Sequence, residues 1–328
     1  MKLKTLSASV ALALGMGLGG TATAAPTFFG PAGTAFEDDL LDFFIDRNGN
    51  GLIDKGDSIV AIITVQSTHP ATGPGSSVTI TPPEFTGIID QFVLTKIPAG
   101  PGQFLFVFGA NPTGFLSNTV PFAPGLVIPA AATAGAPAGT IARTWDGPIA
   151  DMDLAAGDCN TALAGAQVSL SSCLTGASNG TLFWNVVFTG ASGAPAGNEH
   201  LTITASDNPS LVKQVTGIVG TPDFAFQQGA GGTGPDVDPQ ICDTNLPPAG
   251  CPFFGNPLFP VDFKGSGTVQ GGKGLSTTGA TYVDGVDPFA RGDFQFQVLT
   301  APEPGTLALL GLALAGFGVA ARRSKSSV

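Results

Sequence analysis

This sequence predicts an all-β chain, folded as an antiparallel, sandwich-like body. A short N-terminal helix and one C-terminal transmembrane helix are the helical parts expected beside it. Three observations lead there. Apolar and polar residues alternate with a period of two in many short stretches rich in β-branched and aromatic residues. Clusters of Gly, Pro, Asn and Asp separate these stretches, in a chain of 328 residues with 47 Gly and 27 Pro, and such clusters are turn chemistry. No long helical stripe appears between the two ends.

The elements follow in chain order. "AFEDDLLDFF" (35–44) places Phe36, Leu40, Phe43 and Phe44 at helical spacing, which predicts a short helix. "SIVAIITVQST" (58–68), "QFLFVFGA" (103–110), "TLFWNVVFTG" (181–190), "HLTITAS" (200–206), "DFAFQQ" (223–228), "VDFKGSGTVQ" (261–270) and "DFQFQVLT" (293–300) read as strands. The segment 125–140 is rich in Ala, Gly and Pro and reads as a linker or loop, dividing a β-rich region 25–124 from a second, 141–301. Residues 229–240 read as a surface loop. The 24 Phe, against 2 Trp and 1 Tyr, are core filling rather than a sugar-stacking platform.

"DRNGNGLIDKGD" (46–57) carries the strongest site signal. Oxygen-bearing side chains stand at loop positions 1, 3, 5, 9 and 12, as Asp46, Asn48, Asn50, Asp54 and Asp57. Gly51 stands where a calcium loop turns sharply, and Leu52 follows with a backbone carbonyl to offer. The pattern resembles an EF-hand-type or dockerin-like loop. Asp57 departs from the bidentate Glu of the EF-hand, and Arg47 and Lys55 weaken the field, so the expected ligand is weakly held calcium. The competing reading is a polar Asn-Gly turn without metal.

Charge and cysteine content narrow the function classes. The formal net charge is −11. Five of the 13 basic residues lie in the terminal segments while 23 of the 24 acids lie between them, which leaves the middle of the chain near −15. That excludes nucleic acid as a natural partner. Cys159, Cys173, Cys242 and Cys251 predict disulfides in an oxidising compartment, with local pairing Cys159–Cys173 and Cys242–Cys251 favoured by their clustering. Their spacings do not match a zinc site, and only His69 and His200 are present to assist.

No catalytic constellation stands out. "GASNG" around Ser178 fits G-x-S-x-G, but its flanks read as strands and Asn179-Gly180 as a hairpin turn, not as the strand–turn–helix of a nucleophile elbow. "NEH" at His200 lacks a second zinc-binding His. Asp151 with Asp153, and Asp236 with Asp238, read as solvated loop acids, and "RGD" (291–293) as a turn before a strand. Glu84 and Glu199 are carboxylates that nothing selects for glycosidase work.

The two ends carry targeting. Lys2 and Lys4, the apolar stretch from Leu6 to Gly20 and the small residues Ala22 and Ala24 predict a signal peptide over 1–24, cut by signal peptidase. Residues 305–321 contain no charge and span about 26 Å as a helix, just short of a hydrocarbon core. Arg322, Arg323 and Lys325 follow and belong on the cytoplasmic side. Pro302, Glu303 and Pro304 precede the run in a segment that cannot be helical.

Together, Pro302-Glu303-Pro304, the apolar run and Arg322-Arg323 resemble the PEP-CTERM sorting signal over 302–328. That resemblance implies recognition by a membrane-embedded exosortase and processing near the Pro-Glu-Pro. It also implies a Gram-negative host that makes exopolysaccharide. The expectation is an exported, non-enzymatic surface or matrix protein, held transiently in the inner membrane through 305–321 and then associated with exopolysaccharide or biofilm. A secreted carbohydrate-binding module is the alternative, and a secreted hydrolase a weaker one.

Overall fold

The computed structural model describes residues 34–70, 78–79, 84–117, 126–147, 152, 169–197, 199–234, 237–238, 240–241, 260–273, 286 and 288–300. The expected signal peptide at 1–24, the tail at 302–328, Cys159, Cys242 and Cys251 lie outside them. Among the described residues no helix is long and apolar enough to cross a membrane.

The strands are β1 (Thr34–Ile45), β2 (Ser58–Pro70), β3 (Val78–Thr79), β4 (Glu84–Gly100), β5 (Gln103–Gly109), β6 (Thr140–Gly147), β7 (Thr181–Val187), β8 (His200–Ala205), β9 (Ile218–Gly229), β10 (Val237–Asp238), β11 (Gln240–Ile241), β12 (Pro260–Val261), β13 (Phe263–Gly271) and β14 (Pro288–Thr300). Helices α1 (Ala130–Thr133), α2 (Leu170–Ala177) and α3 (Pro209–Val212) are short.

The sandwich expectation is corrected to a barrel. Strands run β2-β1-β14-β13-β9-β7-β6-β4, and β4 pairs back onto β2, so eight antiparallel strands form a closed ring. β4 and β9 explain the closure. Along one edge β4 pairs first with β6 and then with β5, while β9 pairs with β8 and then with β7. Since β5 also pairs with β8, the ring closes at both ends of the barrel. Irregularities between Glu37 and Asp38, Val93 and Thr95, and Val269 and Gln270 add the bends that closure needs. Closure removes the open edges that two stacked sheets would leave.

The expected N-terminal helix is also corrected, because 34–45 is strand β1. Both of its faces are buried. Phe36 and Leu40 point into the barrel, and Leu41, Phe43 and Ile45 pack on the outside. A strand with two apolar faces puts apolar residues at 36, 40, 43 and 44, which a helical period fits equally well. Asp38 and Asp42 lie inside at 4% and 3% exposure.

Two layers of core result. The lumen is filled mainly by Phe, with Phe36 stacked on Phe296 at 4.7 Å and edge-on to Trp184 at 6.2 Å. Gly265 on β13 makes room for these rings, since a Cβ there would collide with the Gln295 carbonyl and the Phe224 ring. The outer layer covers β1, β2, β4 and β6 with α2 and with Phe115 and Leu116. Ser169 caps α2 reciprocally with Ser172, and Leu170, Cys173, Leu174 and Ala177 face inward.

The segment 125–140 carries α1 and docks against this layer through buried Ala132. Arg143 on β6 fastens it, donating to the carbonyls of Ala132 at 2.6 Å and Ala134 at 2.9 Å and to Asn185 Oδ1 at 2.8 Å. Strands before and after this segment join directly, β4 with β6.

Candidate functional site

The 46–57 loop links β1 to β2 at one end of the barrel. Its first turn closes on Asp46, whose two carboxylate oxygens accept from the N–H of Gly49 and of Gly51, each at 2.7 Å. Both glycines have positive φ, 75° and 77°, which a side chain would strain. Asn48 and Asn50 cap the next turns by accepting from the N–H of Asn50 at 3.0 Å and Leu52 at 2.8 Å.

Asp57 closes the second half. It is 1% exposed and accepts from the N–H of Arg47 at 2.9 Å and of Asp54 at 2.8 Å. Burial raises its pKa, and those two N–H donors oppose the rise. Asp54 accepts from Lys96 Nζ and from Asn50 Nδ2, both at 2.7 Å. Those bonds, Lys96 first, hold its pKa below the usual carboxylate value.

Lys96 on β4 also reaches Asp207, after β8, at 2.7 Å, and lies 4.5 Å from the centre of the Phe104 ring. Burial alone would lower the Lys96 pKa, but its two carboxylate partners outweigh it and the pKa is raised. The N–H of Ile53 donates to the Asp207 carbonyl at 2.7 Å, and Gly56 N–H to that of Val93 at 2.9 Å. The loop is thereby tied to β4 and to the β8–α3 connection.

The six expected calcium ligands, Asp46, Asn48, Asn50, Leu52, Asp54 and Asp57, thus lie in one continuous turn structure. The carboxylate oxygens of Asp46, Asp54 and Asp57 already accept from N–H groups or from Lys96. Among the described residues no three of His, Cys, Asp and Glu gather as a metal-holding group.

Two buried carboxyls were not foreseen as site residues. Asp38 and Asp42 point into the lumen, where cavities of about 50 Å³ and 30 Å³ are lined by Asp38 and by Asp42 respectively, with Gln91, Leu201 and Phe294 common to both. Asp38 Oδ1 accepts from the Phe294 N–H at 3.1 Å, yet burial pushes its pKa well above the normal range. Burial pushes Asp42 to about 7. The signal for both was present as acids at i, i+4 among apolar residues, but it reads equally as a solvated helix face.

The enzyme signals fall into structural roles. Ser178 follows helix α2 and precedes β7, the reverse of a nucleophile elbow, and its Oγ donates to the Leu174 carbonyl at 2.7 Å. The stretch before it, expected as a strand, is the cap and first turn of α2. "RGD" lies inside β14 rather than in a turn. Glu199 accepts from the N–H of Thr189 at 2.8 Å and Ala196 at 3.1 Å, and from the Thr189 hydroxyl at 2.6 Å. His200 Nε2 lies 3.1 Å from Asp223 Oδ2, both buried. Asp151, Asp153, Asp236 and the side chain of Glu84 lie outside the described residues.

Trp145 and Trp184 are 2% and 0% exposed, so neither offers a face to a sugar. Cys173, buried in α2, has its sulfur in a disulfide, and its partner lies outside the described residues.

β14 leads into the tail. It runs from the loop end of the barrel to the opposite end, where Thr300 lies near the start of β1. Residues 300–324 match the PEP-CTERM protein-sorting motif. No curated protein and no solved structure matches the chain. The tail therefore carries a sorting signal of the kind that exosortases process, in line with export and sorting to the cell surface.

Proposed function

We propose that the chain is an exported, non-enzymatic barrel protein delivered by its tail to the cell surface or the surrounding exopolysaccharide matrix. The signal peptide at 1–24 directs export. Residues 305–321 then hold the protein transiently in the inner membrane, until an exosortase processes the Pro302-Glu303-Pro304 region. The observation that carries this reading is the sorting-motif match at 300–324, which begins on the last residue of the last barrel strand.

Within this reading the 46–57 loop braces one end of the barrel. Its own N–H donors and Lys96 supply that bracing. Calcium, which the loop's spacing suggests, would have to draw Asp54 from Lys96. Disulfides Cys159–Cys173 and Cys242–Cys251 would add about 2 to 3 kcal/mol each by restricting the unfolded chain.

A variant lacking 302–328 tests the delivery. It should leave the cell as a soluble protein, and retention of that variant in the inner membrane would overturn the anchor. A carbohydrate-binding role has less support, because the two Trp are buried. Saturable binding to matrix polysaccharide, lost on mutating an exposed aromatic residue, would promote it.

A further inference from the structure

The barrel lumen holds three polar side chains among apolar ones. Asp38, Asp42 and Gln91 are 4%, 3% and 7% exposed. The side chains of Asp42 and Gln91 make no hydrogen bond to another described residue. Both line the cavity of about 30 Å³, and Gln91 also lines the cavity of about 50 Å³ beside Asp38. Asp38 gives one carboxylate oxygen to the Phe294 N–H. Asp38 and Asp42 lie on one face of β1, about 13 Å apart along the strand. The two cavities therefore follow one another along the inside of the wall, with Gln91 between them.

An ionised carboxylate in such surroundings calls for a positive partner. Among the described residues, no Lys, Arg or His lines either cavity. Phe rings stand there instead. Phe106 and Phe289 line the Asp42 cavity, Phe224 and Phe263 the Asp38 cavity, and Phe294 both. Aromatic faces attract cations, most strongly where water is excluded. Water serves the polar groups but gains nothing from the rings, whereas an alkylammonium ion is matched by both. The formal net charge of −11 also concentrates cations around the chain.

Volume limits the size of such an ion. An apolar cavity of about 150 Å³ holds benzene, with its six heavy atoms. By that measure, cavities of about 50 Å³ and 30 Å³ take about one to three heavy atoms. Methylammonium and ethylammonium meet that limit.

We propose that the lumen is a binding site for a small alkylammonium ion, held by Asp42 with Gln91 among the lumenal Phe rings. The site is separate from the 46–57 turn network and from the tail.

The test uses the full chain, purified in a non-ionic detergent, at pH 8. An alkylamine is a cation there, as a lysine side chain is, and Asp42 has passed the value of about 7 to which burial raises it. Isotope-labelled methylammonium chloride is titrated in at constant ionic strength and followed by its methyl resonance. The resonance should move upfield, because the ring faces shield it, and should saturate at one ion per chain. Asp42→Asn should weaken binding about tenfold or more. Gln91→Met keeps the volume, removes the amide and should weaken binding about threefold or more. This second variant decides the matter if Asp42→Asn fails to melt cooperatively. Methanol, a neutral molecule of the same size, should bind about tenfold more weakly or worse. A methyl signal that never saturates, or that lacks the upfield shift, overturns the site. Parent-like affinity in a cooperatively melting Asp42→Asn or Gln91→Met overturns the assignment to these residues, and equal binding of methanol overturns the cationic ligand. None of these outcomes depends on processing of the tail, so failure here leaves the sorting reading standing.

Discussion

Asp42 makes no hydrogen bond to another described residue and faces an apolar lumen, so its charged form is disfavoured by burial. Its pKa rises from 3.8 to about 7 in the folded chain. Between those values the native state holds a proton that the unfolded state has released. Stability from this group is therefore full below about pH 4 and declines as pH rises through 7. The whole shift corresponds to on the order of 4 kcal/mol. Asp42→Asn should leave thermal stability at pH 4 near that of the parent and raise it at pH 8. A melting temperature that moves equally at both pH values would contradict the burial account. Asp38 shifts in the same direction, so the variant should keep some pH dependence. Burial raises the Asp57 pKa as well, but its carboxylate satisfies two backbone donors, which its removal would leave unpaired. Asp57→Ala should cost about 1 to 3 kcal/mol, with equal drops in melting temperature in calcium and in chelator. A larger drop in calcium would report a cation held by that carboxylate. The loop was legible in sequence because its turn chemistry is local, running from Asp46 to Asp57. Lys96 and Asp207 were not, since Lys96 meets Asp54 across 42 residues and Asp207 across 111.

At the scale of elements, legibility followed how a strand is buried. β2, β5, β7 and β8 could be read because β-branched and aromatic residues dominate them. β6 escaped because polar residues break its alternation: Arg143 shares the outward face with Trp145, and Thr144 shares the lumen with Ala142, while Arg143 is buried where it donates to the Ala132 and Ala134 carbonyls. β1 escaped because two apolar faces imitate a helix. α2 was missed where its flanking Ser and Leu residues alternate like a strand, and the Ser169–Ser172 capping box and the apolar face of the helix decide otherwise. β13 shows why glycine belongs inside a strand here: Gly265 and Gly267 leave the space that the Phe224 and Phe294 rings occupy. A side chain at 265 meets the Gln295 backbone, which cannot rotate away. Gly265→Val should therefore cost about 3 kcal/mol or more, and for a protein of this size lower the melting temperature by about 6 °C or more. A neutral result would mean that β13 shifts freely against β14.

For the whole molecule, the all-β class and its antiparallel pairing follow from local patterns, and barrel closure does not. Alternating strands serve a sandwich and a barrel alike. The β2–β4 and β1–β14 ladders decide between them, and both are tertiary, with Asp38 meeting Phe294 across 256 residues. The last strand consequently closes the ring between β1 and β13, and the tail follows it at the end away from the 46–57 loop. Folding must wait for β14 to be exported, and non-local closure of this kind is slow. The body can thus complete its core only when the chain up to the tail has crossed. Removing 302–328 takes nothing from the ring, so that variant should keep the parent's β-sheet circular dichroism and cooperative melt. Removing 288–328 also withdraws β14, strips β1 and β13 of a partner and uncovers Phe36 beside the missing Phe296. That shorter variant should lose cooperative melting and become protease-sensitive. A cooperative melt without residues 288–300 would show that the ring closes by another pairing, and the position assigned to β14 between fold and tail would fall.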